Sequence, residues 1–185
     1  MTLPVAPGPA MLDLARGFDW RMQMQANGYS RVQIVLHWLI MGMMAAQFLL
    51  AEAMSEVFED RIELGAAELD GAAGAHAIVG LAVLALMIWR ISIRLRLGPA
   101  AAPAGDPAWQ HAAAVAVHWA LYALAVLLPV TGALAWNLGS EAMGEAHEVL
   151  RGLFLLVLLI HVLGALFGQY VRRNGVMVRM KTPGR

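Results

Sequence analysis

Apolar residues gather into four runs separated by short polar stretches, at roughly residues 32–54, 74–95, 112–138 and 147–170. A helix needs about 20 residues to cross the hydrocarbon core of a bilayer, and each run reaches that length. The runs lack the period-two alternation of a membrane barrel, and only helices or closed barrels satisfy their backbone in lipid. The pattern therefore predicts an all-α membrane protein. Its four transmembrane helices should form an antiparallel bundle, because the connections between them are short. Inside the third run, Pro129 should kink the helix by removing a backbone donor.

The segment before the first run has a different texture. Residues 1–10 are rich in proline. Next, Met11, Leu14, Ala15, Phe18 and Met22 recur at helical spacing, opposite Asp13, Arg16, Asp19, Arg21 and Gln23. That pattern predicts a helix over residues 11–24 lying on the membrane surface. There is no continuous apolar stretch with a small-residue cleavage site, so the segment does not read as a cleavable signal. The chain thus divides into an N-terminal cytoplasmic extension (1–28), a four-helix membrane domain (29–173) and a basic cytoplasmic tail (174–185).

Composition agrees with the pattern. Of 185 residues, 60% are hydrophobic and 14% charged, with a mean hydropathy of +0.63. A soluble domain is about 45–50% apolar and about 25% charged. Thirteen basic and thirteen acidic residues cancel, so bulk charge points to neither nucleic acid nor an acidic substrate. Their placement is uneven. Eleven bases flank the membrane on the side of both termini, and only Arg61 and Arg151 lie on the other. Basic residues stay inside, so both termini should face the cytoplasm of a bacterial inner membrane. Ten acids fall on the outer side, seven of them between Glu52 and Asp70, which predicts an acidic outer loop over residues 56–70. The outer face then carries about −8 and the inner face about +8, by the positive-inside assignment.

There is no cysteine, which excludes disulfides, thiolate metal sites and covalently attached c-type haem. The remaining strong nitrogen ligands are six histidines. Ionisable groups within a span are costly and usually functional. His37 lies near the inner start of the first span and His76 near the outer start of the second. His147 opens the fourth span, and His161 follows fourteen residues later. Fourteen residues advance about 21 Å and return to nearly the same helix face. Antiparallel topology then pairs His37 with His161 at the inner level and His76 with His147 at the outer level. Two imidazole pairs in a helical bundle, with no carboxylate or thiolate beside them, suit the axial positions of two b-type haems. A bare zinc or copper ion would need ligands closer and more numerous. His118 stands at the inner level of the third span and competes with His37 or His161 as a ligand, or supports a haem through a hydrogen bond. Arg31, Arg90 and Arg94 stand at the inner boundary, where guanidinium groups match haem carboxylates. They also serve orientation and snorkelling without any haem. Gly42, Gly80, Gly132 and Gly164 would let a flat macrocycle approach a helix, although small residues also serve helix packing.

In order and spacing the chain resembles the bacterial cytochrome b561 family. The resemblance rests on Tyr29-Ser30-Arg31 leading to His37-Trp38, on Ala75-His76-Ala77-Ile78-Val79-Gly80, and on Trp89-Arg90 with Arg94-Leu95. It continues through His118-Trp119-Ala120-Leu121-Tyr122, Leu128-Pro129-Val130-Thr131-Gly132, and His147-Glu148 with His161. It covers residues 29–173. The resemblance implies a four-helix membrane cytochrome with two b-type haems held by His37, His76, His147 and His161. It implies electron exchange with membrane quinone such as ubiquinone. Some members resemble superoxide oxidases that pass electrons from superoxide to ubiquinone, and others are haem-bearing anchor subunits of hydrogenases and similar dehydrogenases. The N-terminal extension and the acidic outer loop depart from the family core. An outer face of that sign repels an anion such as superoxide and attracts a basic periplasmic electron carrier, although acids also collect outside simply because bases are kept inside.

Overall fold

A computed structural model describes residues 28–98 and 106–184. The predicted surface helix at 11–24 lies outside these residues. Among the described residues the fold is entirely helical: α1 (Arg31–Leu49), α2 (Ala51–Leu64), α3 (Gly71–Leu97), α4 (Ala108–Leu138) and α5 (Glu141–Leu166). A π-helical turn (Phe167–Val171) extends α5, and a 3-10 turn (Val178–Met180) follows. Four helices are long and apolar enough to cross a membrane: α1, α3, α4, and α5 with its π turn. These are the four expected spans.

Local chemistry sets the helix ends. Ser30 and Gln33 form a reciprocal capping box at the start of α1: Gln33 N–H donates to Ser30 Oγ, and Ser30 N–H donates to Gln33 Oε1. Two otherwise unpaired donors are satisfied in this way. Between α4 and α5, Gly139 takes a left-handed conformation (φ 57°) that a side chain would oppose, and Ser140 caps the next helix. α4 runs unbroken through Pro129.

The first apolar run does not continue to residue 54 as one span. It breaks at Leu50, and the chain re-forms a helix, α2, across most of the region expected to be a loop. The reason is a change of pattern. From Glu52 onward, exposed Glu52, Glu56, Glu59, Asp60 and Glu63 alternate with half-buried Ala53, Met54, Val57, Phe58 and Ile62. A helix with one charged face cannot continue into lipid, but it can lie against the bundle with its apolar face inward. There it packs on α3 and α1. The Phe58 ring sits where a Cβ on Gly144 would be, and the Arg61 guanidinium lies 5.7 Å from the Trp136 ring centroid.

α4 packs closely on α5 and on α3, and α3 on α1, whereas α5 makes few close backbone approaches to α1 or α3. Side chains span that wider side. Leu36, Ile40 and Met44 of α1 meet Val83 and Met87 of α3, Leu124, Ala125 and Leu128 of α4, and Phe154 of α5. Phe154 stacks on Phe48 with ring centroids 6.5 Å apart. The outer faces expose many large apolar side chains, including Leu153, Leu155, Leu156, Leu159 and Leu163 on α5. Patches of that extent belong against lipid rather than water.

Residues 174–184, expected as a basic tail, are tied back to the bundle. Arg173 turns left-handed (φ 55°) after the π turn. Asn174 Nδ2 then donates to Asp106 Oδ2 at 3.0 Å, Trp38 Nε1 to Met180 O at 2.8 Å, and Gly184 N to Tyr29 O at 3.1 Å.

Candidate functional site

α5 carries His147 in its second turn and His161 near its far end, with Phe154 midway between them. The fold brings each ring opposite a partner. His161 faces His37 of α1, with ring centroids 6.3 Å apart and planes at 63°. His147 faces His76 of α3, at 6.5 Å and 65°. All four rings are half-buried. Two imidazoles that face each other across one metal ion, each nitrogen about 2 Å from it, have centroids about 6.4 Å apart. Both pairs stand at that separation. Each pair bridges α5 and a helix that α5 seldom approaches closely, α1 or α3. Among the described residues no three or more His, Cys, Asp or Glu side chains converge as a bare metal site requires.

His118 is also brought to the inner pair, but differently. Its ring centroid is 5.0 Å from that of His161, edge to face at 85°. That is shorter than the separation of two imidazoles that face each other across one ion. Its Nδ1 lies 2.6 Å from Ala114 O, one turn earlier on the same helix. A carbonyl only accepts, so His118 Nδ1 donates. His111 is exposed in the first turn of α4.

Backbone chemistry orients His147. Its Nδ1 is 2.8 Å from Leu128 O, so Nδ1 carries the proton and Nε2 keeps its lone pair. Thr131 Oγ1, itself bonded back to Leu127 O and Leu128 O, is 3.3 Å from the same nitrogen. Gly132 makes the approach feasible, because a Cβ there would lie 3.2 Å from His147 Cε1 and Nδ1. The glycine therefore admits an imidazole ring. At Gly80 the close neighbour is Gln47 Nε2, and at Gly42 and Gly164 a Cβ would meet nothing within 4 Å.

At the inner pair, Arg90 Nη1 donates to Gln33 O at 2.9 Å, and Nη2 lies 3.4 Å from His37 Nδ1. The guanidinium is 5.9 Å from the Tyr122 ring centroid. Arg31 is exposed at the first position of α1. Tyr29, Gln33, Arg90, Arg94 and Tyr122 line a small pocket beside the inner pair. Burial pushes the Tyr29 phenol above its ordinary pKa, and the Arg94 charge opposes the shift. Neither Tyr29 nor Gln47 stands out as a site residue in the sequence. Gln47 carried a signal, as one of the few polar side chains within an apolar run.

Comparison with known proteins gives a consistent result. The sequence profile of the family described as prokaryotic cytochrome b561 matches residues 28–183. A protein named cytochrome b562 from Cereibacter sphaeroides is 32% identical over 159 residues, covering 86% of this chain and 98% of its own length. A protein from Yersinia pestis named "Probable superoxide oxidase CybB" is 28% identical over 183 residues, with 82% and 94% covered. A protein from Escherichia coli K12 named cytochrome b561 homolog 1 is 23% identical over 175 residues, with 83% and 97% covered.

Proposed function

The chain belongs to the prokaryotic cytochrome b561 family of membrane electron-transfer proteins, and from that premise we propose that it is a di-haem electron carrier of the bacterial inner membrane. His37 and His161 would hold the inner b-type haem, and His76 and His147 the outer one. The observation that carries this reading is the equal spacing of the two ring pairs, 6.3 and 6.5 Å, both near the separation of two imidazoles that face each other across one metal ion. The 5.0 Å between His118 and His161 favours a supporting role for His118. When bound, a haem supplies a one-electron centre whose potential is tuned by its axial ligands and their hydrogen bonds.

The chain's own residues hold and insulate that centre. Leu128 O keeps the His147 proton on Nδ1, so Nε2 presents its lone pair. Gly132 lets the imidazole lie against α4. Arg90, beside His37 and anchored on Gln33 O, places positive charge where haem carboxylates need it. Arg94 and, from the helix start, Arg31 add to that charge. Phe48 and Phe154 keep the space between the two levels apolar. Both termini face the cytoplasm in this reading, and electrons pass between the two levels to or from membrane quinone. The seven exposed acids between Glu52 and Asp70 favour a basic periplasmic carrier as donor over superoxide.

A reduced-minus-oxidised spectrum of the purified protein tests the proposal. We expect an α-band that a soluble ubiquinone analogue bleaches from the reduced protein. Absence of the band would sink the haem assignment. A band that quinone leaves untouched would sink the quinone step. A reduction by superoxide as fast as by a basic carrier protein would reverse the choice of donor.

A further inference from the structure

Two buried polar atoms among the described residues have no hydrogen-bond partner, Gln47 Oε1 and His76 Nδ1. One is an acceptor, and the other is a ring nitrogen able to carry a proton. The two side chains already meet. Gln47, in the last turns of α1, donates from Nε2 to the main-chain oxygen of His76 at 3.0 Å. The amide is lodged in a notch on α3, since a Cβ on Gly80, four residues beyond His76, would come within 2.9 Å of Nε2. An apolar side chain would fill this place without the cost of a buried unpaired oxygen. Gln47 therefore calls for a reason.

The neighbouring pair supplies one. An imidazole that offers its Nε2 lone pair to a metal carries its proton on Nδ1, and that N–H is almost always donated to an oxygen. His147 has such an acceptor in Leu128 O. Its partner His76, 6.5 Å away, has none. A buried, unengaged oxygen belongs to the residue that grips the His76 backbone.

We propose that Gln47 is the positioning residue of His76, its Oε1 accepting the Nδ1 proton once the ring engages the outer haem. The bond fixes the tautomer and the angle of the ring. It also makes the imidazole a stronger electron donor, which stabilises the oxidised centre and lowers its potential. The inference rests on the di-haem reading above and adds to it a residue that tunes one haem and not the other.

The test is a potentiometric titration of the purified holoprotein, following the α-band and assigning the outer component as the one lost in His76→Ala. Gln47→Met keeps the volume and removes the acceptor. The outer midpoint should rise while the inner one stays in place. Gln47→Glu keeps an oxygen at the same reach in either protonation state, so its outer midpoint should lie at or below the wild-type value. A merely structural role would not produce opposite behaviour in these two variants. An unmoved outer midpoint in Gln47→Met would overturn the proposal and leave a main-chain carbonyl as the partner of His76. If Gln47→Met fails to load the outer haem, retention by Gln47→Glu supports the proposal and loss from both overturns it. A wild-type chain without haem overturns this inference together with the di-haem reading. A di-haem wild type with an indifferent Gln47 overturns this inference alone.

Discussion

Replacing Gly132 by alanine should weaken the outer haem site and spare the inner one. The added methyl would lie 3.2 Å from both Cε1 and Nδ1 of His147, where ordinary contact begins near about 3.4 Å, so the ring must give by a few tenths of an ångström. It has little freedom to do so. Its Nδ1 is held 2.8 Å from Leu128 O on the same helix as residue 132, and Thr131 Oγ1 lies 3.3 Å from that nitrogen. Retreating from the methyl stretches the bond that sets the tautomer. Overpacking of this kind costs about 1–3 kcal/mol. Expressed as ligand affinity, at about 1.4 kcal/mol per decade, that is about a 5- to 150-fold loss in retention of the outer haem. Haem transfer to an excess of apomyoglobin, followed optically, measures the loss directly. Gly152→Ala, on the helix that carries His147, is the control, because a Cβ there meets nothing within 4 Å. Wild-type retention of both haems by Gly132→Ala would refute the role of Gly132 as the rest for His147. Preferential loss of the inner haem would refute the depth assignment.

Three further outcomes follow from the same geometry. His118→Ala should retain two haems, since His118 packs edge-on against His161 at 5.0 Å; loss of one, read from the α-band, would restore it as a ligand. The chain has no cysteine, so single cysteines report topology cleanly. Glu63→Cys should react with a membrane-impermeant maleimide in intact spheroplasts and Lys181→Cys only after lysis, and the reverse pattern would invert the orientation. Trp38→Phe removes the 2.8 Å bond to Met180 O, worth about 0.5–1.5 kcal/mol. Hydrogen exchange over residues 174–184 should therefore quicken by roughly 2- to 13-fold, given about 1.4 kcal/mol per decade, and unchanged exchange would mean that this bond does not hold the segment.

The parts of the fold that lipid dictates were legible in the amino-acid pattern. Spans of about 20 apolar residues have few alternatives in a bilayer. The fourteen-residue interval from His147 to His161, combined with antiparallel order, was enough to pair rings by depth. Features that depend on contacts between distant residues were not legible. The return of the C-terminal segment relies on Asn174 meeting Asp106 and Trp38 meeting Met180. α2 was only half legible: its acids recur at helical spacing, but the apolar face is short and rests on Phe58 finding Gly144. Pro129 stood out as a proline inside an apolar run, and α4 continues as one helix through it. Gly132 was read as room for a macrocycle or as a helix-packing residue, and its immediate neighbour is an imidazole. Gln47 and Tyr29 gain meaning only from neighbours on other helices, which no spacing along one helix reveals.

The pairing of histidines is the centre of the account, and the haem-to-chain ratio in double variants measures it most directly. Wild-type protein should bind two haems per chain. Removing both members of one pair, His37→Ala with His161→Ala or His76→Ala with His147→Ala, should leave one. Removing one member from each pair, as in His37→Ala with His76→Ala, should leave none. Equal ratios in same-pair and cross-pair variants, or a wild-type ratio of one, would contradict it.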